Sequence, residues 1–60
     1  MYRYYVSYAH TEGFGAVEYG DPKPITSFEQ VNEMAEKIRR KQGYSTRVII
    51  LNYILLRKDD

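Results

Sequence analysis

The sequence predicts a small α+β domain of order ββαβ, in which a three-stranded antiparallel sheet carries one helix on one face. Two tyrosine- and valine-rich segments near the N-terminus predict the first two strands, an amphipathic segment with capping residues at both ends predicts the helix, and a β-branched apolar run predicts the last strand. The 60 residues are expected to form a single domain, because a chain of this length has room for one hydrophobic core.

The first two strands are predicted to form a hairpin. Tyr2 to Ala9 is expected to be a strand because tyrosine and valine suit a pleated surface. Phe14 to Tyr19 is the second strand, and the polar connection from His10 to Gly13 favours a hairpin between the two. The segment GDPKP at residues 20–24 should end this unit, because its two prolines exclude a helix and a central strand.

The segment after the prolines is predicted to be a helix with marked ends. Ser27 is the expected N-cap with Gln30 as its capping-box partner, and Gly43 is the expected residue just past the C-terminus. Apolar residues recur at steps of three and four and form one stripe, made of Phe28, Val31, Met34, Ala35 and Ile38. This helix can cover one face of the sheet.

The segment from Val48 to Leu56 is predicted to be the last strand, because it is rich in β-branched residues and follows a helix stop. Regular alternation would put Val48, Ile50, Asn52, Ile54 and Leu56 on one face, and Ile49, Leu51, Tyr53 and Leu55 on the other. Both faces are apolar except for Asn52, although a single helix covers only one of them.

The uncovered apolar face predicts a partner chain, most simply a second copy related by a two-fold axis. Each such side chain is worth ~1.5–3 kcal/mol when fully buried, whereas a domain of this size has a net stability of only ~3–5 kcal/mol. We therefore predict a homodimer whose interface contains Ile49, Leu51, Tyr53 and Leu55. Two arrangements stay open: the sheets stack face to face, or two edge strands pair into one extended sheet.

The composition argues against catalysis and against bound cofactors. The chain has no cysteine and one histidine, which excludes disulfides and disfavours a structural zinc site. His10 and Glu12 have no nucleophile nearby, so we expect no enzyme, no metal and no cofactor. No apolar run is long enough to span a membrane, and the N-terminus lacks the apolar centre of a signal peptide. We expect a cytoplasmic protein without a membrane partner.

The stretch EGFGAVEY, residues 12–19, is similar to the RNA-contacting strand of RNA-recognition domains. Two positions lack the required chemistry. Glu12 stands where a basic residue would pair with phosphate, and Ala16 stands where an aromatic ring would stack on a base. The stretch is therefore interpreted as a hairpin strand flanked by glycines.

Two groups of residues are candidate binding surfaces. Tyr2, Tyr4 and Tyr8 share one face of the first strand and could bind a protein partner, since tyrosine is enriched at interfaces, or they could pack on the helix as core. The basic residues that could contact nucleic acid are Arg39, Arg40, Lys41 and Arg47. The net charge of +1 is far from the strongly basic balance of nucleic-acid binders, so nucleic-acid binding is the second interpretation.

The chain also resembles small proteins of phages and mobile elements from Gram-positive hosts. The resemblance lies in YRYYVSY, GFGAVEY, the helix entry PITSFEQV and the terminal ILNYILL. In this respect it resembles the phage-encoded anti-Hachiman inhibitor family, a functional analogue. The resemblance implies a small homodimeric binder, acting in the host cytoplasm, that blocks a bacterial defence complex by stoichiometric contact. It implies no chemistry and carries no functional residue over to this chain.

Overall fold

The structure, a computed structural model, describes residues 1–59 and has the predicted ββαβ order. The elements are β1 (Tyr2–His10), β2 (Gly13–Asp21), α1 (Phe28–Gln42) and β3 (Ile49–Lys58). The three strands form one antiparallel sheet in the order β2-β1-β3, so the first strand is the central one. The predicted α+β class with a three-stranded antiparallel sheet is confirmed.

Strands β1 and β2 form a hairpin that is longer than the sequence predicted. Their pairing runs without interruption from His10 opposite Gly13 to Tyr2 opposite Asp21. The backbone ladder continues through the glycines at both ends of β2, where residue propensity alone indicated a turn or a break. Asp21 ends the hairpin, and its carboxylate accepts a hydrogen bond from the Lys23 amide at 3.0 Å.

Both predicted ends of the helix are confirmed. Ser27 has an extended backbone, and its Oγ accepts a hydrogen bond from the Gln30 amide at 3.2 Å. The Gln30 side chain in turn accepts from the Thr26 amide at 2.9 Å, one residue before the expected position. Gly43 has φ 75°, a left-handed conformation that glycine adopts without strain, and its amide donates to the Arg40 carbonyl at 3.2 Å.

The core lies between the helix and one face of the sheet. Met34 of the helix and Val6 of the central strand are fully buried, and the complete set of buried residues is Tyr4, Val6, Tyr8, Ile25, Met34, Ile38 and Val48. Phe28 begins the predicted apolar stripe, yet its side chain is 78% exposed. The helix therefore leaves one apolar residue outside the core of the single chain.

Candidate interaction surface

Strand β3 is an apolar edge strand. In the order β2-β1-β3 it has a hydrogen-bonded neighbour on one side only. Six of its large apolar side chains are 36–55% exposed, namely Ile49, Leu51, Tyr53, Ile54, Leu55 and Leu56. Residues 49–56 include no charged residue and no proline, the residues with which edge strands usually prevent pairing with other chains. This strand is the candidate interaction surface.

Two β-bulges interrupt the regular alternation of β3. The register with β1 shifts between Arg3 and Tyr4 and again between Ser7 and Tyr8. Leu51 and Leu56 are the extra residues at these two shifts. Because side chains alternate with a period of two, each extra residue moves the following side chains to the opposite face.

The bulges correct the predicted division of β3 into two faces. Tyr53 lies opposite Val6, which is buried on the helix side, whereas Ile49 lies opposite Ala9 on the other side of the sheet. The predicted interface of Ile49, Leu51, Tyr53 and Leu55 therefore does not share one face. All four residues are still exposed, so apolar surface lies on both sides of the same edge strand.

A groove runs along the flank of the helix next to the start of β3. It encloses a cavity of about 140 Å³. It is lined by Phe28, Val31, Asn32, Ala35, Arg47, Val48, Ile49 and Ile50. We call this feature the flank groove. It adds apolar helix surface, including the exposed Phe28 ring, to the apolar edge of the sheet.

The sheet face opposite the helix, here called the open face, is divided between apolar and ionic ends. It carries Arg3, Tyr5, Ser7, Ala9, Phe14, Ala16, Glu18, Ile49, Asn52, Ile54 and Arg57. At the apolar end the Phe14 side chain is 81% exposed. At the other end the Arg57 guanidinium bonds both Glu18 and Asp59 at 3.2 Å.

Asp59 also accepts a hydrogen bond from Arg3 at 3.1 Å, so two guanidinium groups share this carboxylate. The bond from Arg3 is the main cause that lowers the pKa of Asp59 below its ordinary value. The pKa of Arg57 is raised, chiefly by its hydrogen bond with Glu18. This end of the open face is therefore an ionic network rather than an apolar docking surface.

The predicted partner-binding tyrosines are mostly core residues. Tyr4 and Tyr8 are only 4% and 3% exposed, so they are not available to a partner while the chain is folded; Tyr2 is half-buried. The Tyr8 hydroxyl lies 3.0 Å from that of Tyr44, and this hydrogen bond is the main cause that raises the pKa of Tyr8. The hydrophobic contact with the helix decided between the two interpretations that the sequence left open.

The four candidate nucleic-acid residues do not form one free basic patch. Arg39 bonds the Glu36 carboxylate at 2.6 Å and the Tyr44 carbonyl at 3.1 Å, and Arg40 lies 3.4 Å from the same carboxylate. The bond from Arg39 lowers the pKa of Glu36. Lys41 lines a cavity beside β2, whereas Arg47 lines the flank groove beside β3. Two of the four are paired within the helix, and the other two line different cavities.

The residues around the glycine-rich stretch serve packing. Gly15 lies opposite Tyr8, and a Cβ atom at this position would come within 2.5 Å of the Tyr8 hydroxyl oxygen. His10 ends β1 instead of lying in a loop, and its ring stacks on Tyr44 with centroids 4.3 Å apart. Position 15 therefore requires glycine, because the side chain of the buried Tyr8 lies where a Cβ atom would be.

The exposed aromatic residues of the open face were not singled out from the sequence. Tyr5 is 46% exposed and lies opposite Glu18, and Phe14 lies opposite Ala9. Period-two alternation places Tyr5 on the face that Tyr4 and Tyr8 do not share, and this signal could have identified it.

Within residues 1–59, no three histidine, cysteine or acidic side chains lie together in a way that could hold a metal ion. No helix in this part of the chain is long and apolar enough to cross a membrane. No protein-family model matches the sequence, and no curated protein or solved structure is significantly similar to it.

Proposed function

We propose that this chain is a small non-enzymatic protein-binding module that acts as a homodimer. The observation that carries the proposal is the apolar edge strand β3, which has exposed side chains on both faces. Residues 49–56 of this strand include no charged residue. A monomer would leave this strand in contact with water, where it would pair with other chains. A specific partner that covers this strand removes its apolar side chains from water and prevents unspecific pairing with other chains.

The free energy gained by burying the apolar side chains of β3 supports association of two copies. Fully burying a leucine or isoleucine side chain contributes ~1.5–3 kcal/mol, so covering a half-exposed one contributes about 1 kcal/mol. Five such side chains and the ring of Tyr53 lie on β3. Their sum, about 6 kcal/mol for each copy, is comparable with the cost of ~4–15 kcal/mol for bringing two proteins together. Burial of this surface between two copies therefore offsets much of the cost of association.

The proposed target is a host protein within a bacterial anti-phage defence system, and the proposed site of action is the host cytoplasm. The resemblance to phage-encoded inhibitors supports the target class. The absence of cysteine is consistent with a reducing compartment, since a chain this small would otherwise gain most from a disulfide. Inhibition would follow from stoichiometric contact and would require no turnover.

The direct test is to express the chain in bacteria that carry a Hachiman-type defence system and to measure the plaquing efficiency of a sensitive phage. We expect the chain to restore plaquing and to co-purify with a defence component in a fixed ratio. Restored plaquing without a fixed ratio of bound protein, or no restoration at all, would contradict the proposal.

Two variants link the outcome to β3. The double variant Leu51→Lys with Leu56→Lys places charge on the apolar edge and should abolish both dimerisation and inhibition. Phe14→Lys is the matched control, because Phe14 is also an exposed apolar residue but lies on the opposite edge strand. It should leave the dimer intact.

A further inference from the structure

We propose that β3 pairs antiparallel with β3 of a second copy along its free edge, about a two-fold axis close to Tyr53. The two sheets would then form one continuous six-stranded sheet with both helices on the same side. This inference rests on the proposed self-association and specifies its geometry, which the sequence left open between edge pairing and face-to-face stacking.

The distribution of apolar residues favours the edge over the face. Face-to-face stacking would require an apolar open face across all three strands, but one end of that face holds the ion pairs of Arg57 with Glu18 and of Arg3 with Asp59. Burying those charges would cost their hydration. Edge pairing requires instead one strand that is apolar on both sides, and β3 has this pattern.

The other edge of the sheet is a poor candidate for pairing. Strand β2 includes Gly13, Gly15 and Gly20, which weaken a strand, and it carries Glu18 and Asp21. Charged residues on an edge discourage the approach of another strand. The sheet therefore has one protected edge and one edge suited to a partner.

The bulges and a hydrogen bond from a side chain to the backbone locate the axis. Between the bulges at Leu51 and Leu56 only residues 52–55 form regular strand, and a straight partner strand pairs best there. The Asn52 carbonyl oxygen accepts from the Ser7 hydroxyl at 3.5 Å and so points towards β1. Backbone groups of successive residues point to opposite sides, so the Tyr53 amide points to the free edge.

In the single chain the Tyr53 amide donates to the side-chain oxygen of Asn52 at 2.9 Å. Pairing about Tyr53 replaces this bond with one to the carbonyl of Tyr53 in the second copy. Asn52 would then be free to bond elsewhere. The side-chain oxygen therefore occupies the free edge until a partner strand arrives.

The charges at the two ends of β3 fit the same register. When Tyr53 lies opposite itself, the ends of the two β3 strands point in opposite directions. The basic residues Arg57 and Lys58 fall opposite Ile49 and Val48, so like charges of the two copies stay apart. A parallel arrangement would align Arg57 and Lys58 with themselves and would repel.

The antiparallel register also explains the exposed end of the helix. The flank groove lies beside the start of β3, and this start would lie next to the end of β3 in the second copy. Leu55 and Leu56 of that copy then approach Phe28, whose ring is 78% exposed in the single chain.

Disulfide mapping tests the register directly, because the chain has no cysteine of its own. Residues opposite one another in an antiparallel pair have Cα atoms about 4.5–5.5 Å apart, within the range that a disulfide spans. We expect Tyr53→Cys to form a covalent dimer under mild oxidation. A mixture of Asn52→Cys and Ile54→Cys should form a cross-linked heterodimer, whereas each of these alone should stay largely uncross-linked.

Phe14→Cys on the open face is the matched control, and circular dichroism of each reduced variant confirms that it is folded. Efficient self-cross-linking of Phe14→Cys would indicate face-to-face stacking and would overturn the inference. Sedimentation that shows a monomer at micromolar concentration would also overturn the inference. The mixed pair keeps the test valid if loss of the Tyr53 ring prevents folding.

The proposed function can fail separately from this geometry. A dimer with the expected cross-links but without restored plaquing leaves the edge pairing standing and contradicts the inhibitor function. Restored plaquing and target binding by a chain that sediments as a monomer contradicts the edge pairing and leaves target binding standing.

Discussion

The backbone amide of Ile25 donates a hydrogen bond to the hydroxyl oxygen of Tyr4 at 2.8 Å, inside the buried layer between the helix and the sheet. Both residues are nearly inaccessible to water, at 8% and 4% exposed. The bond joins the proline-containing connection to the central strand and so sets where the helix begins over the sheet. It also explains why a tyrosine that looks suitable for a partner is held in the core.

Replacing Tyr4 by phenylalanine should destabilise the chain by about 1–3 kcal/mol, because the buried Ile25 amide would lose its acceptor and no water could replace it. For a domain of this size, each kcal/mol lowers Tm by roughly 4–8 °C. Thermal unfolding followed by circular dichroism measures the effect. Tyr5→Phe, on the exposed face of the same strand, is the control and should change Tm little.

Replacing Gly15 by alanine should destabilise the chain by roughly 1–3 kcal/mol through overpacking. The added Cβ would lie 2.5 Å from the Tyr8 hydroxyl oxygen, and Tyr8 is held by its neighbour Tyr44. Urea unfolding gives the free energy. Gly20→Ala in the same strand should cost less, because its Cβ meets the far end of the flexible, half-buried Arg3 side chain, which can shift more easily than the ring of Tyr8. Equal losses at both positions would contradict this account.

Replacing Ser27 by alanine should lower the free energy of unfolding by about 1 kcal/mol, since the Gln30 amide at the helix start loses its acceptor. Chemical denaturation at neutral pH measures it. Ser45→Ala in the exposed connection after the helix is the matched control. An unchanged midpoint for Ser27→Ala would show that Thr26 or water takes over the cap.

Stability should fall in acid because two carboxylates titrate at lower pH in the folded chain than in the unfolded chain. Hydrogen bonds from Arg39 and from Arg3 lower the pKa values of Glu36 and Asp59 respectively. The unfolded chain therefore binds more protons than the folded chain near pH ~4. The stabilisation is complete at pH values above the pKa of these carboxylates in the unfolded chain. It is lost as the pH falls through their lower pKa values in the folded chain.

Urea unfolding between pH ~3 and ~7 tests this titration. Glu36→Gln combined with Asp59→Asn should flatten the acid limb of the stability curve. Glu12→Gln in the exposed turn controls for the loss of a negative charge. An acid limb as steep in the double variant as in the parent would show that other carboxylates cause it.

The basic residues should differ in role. Arg39→Ala should destabilise the helix end, because Arg39 bonds both Glu36 and the Tyr44 carbonyl, whereas Lys41→Ala should be nearly neutral. The pair Arg40→Ala with Lys41→Ala should leave inhibition unchanged, because both residues lie at the helix end, away from β3. The measurement is the fluorescence anisotropy of labelled DNA and RNA at about 50 and 200 mM salt. Tight binding that falls steeply with salt, and that the double variant loses, would favour the nucleic-acid function instead.

The order of the elements and both helix ends follow from the sequence because their causes are local. Alternation in YRYYVSY, the prolines at residues 22 and 24, and the N-cap at Ser27 act over a few residues of chain. Gly43 is equally local, since only its own backbone conformation is at stake. The apolar character of β3, and hence the need for a partner, is also visible in the residues alone.

Long-range pairing decided the rest. The sequence left open which strand is central, and the placement of β1 between β2 and β3 makes β3 an edge. The bulges at Leu51 and Leu56 redistribute the side chains of β3 between the two faces of the sheet. The residue pattern of β3 does not predict these bulges, because they arise from the pairing of β3 with β1. The burial of Tyr4 and Tyr8 likewise depends on which face the helix covers, and that choice is made by packing between residues far apart in the chain.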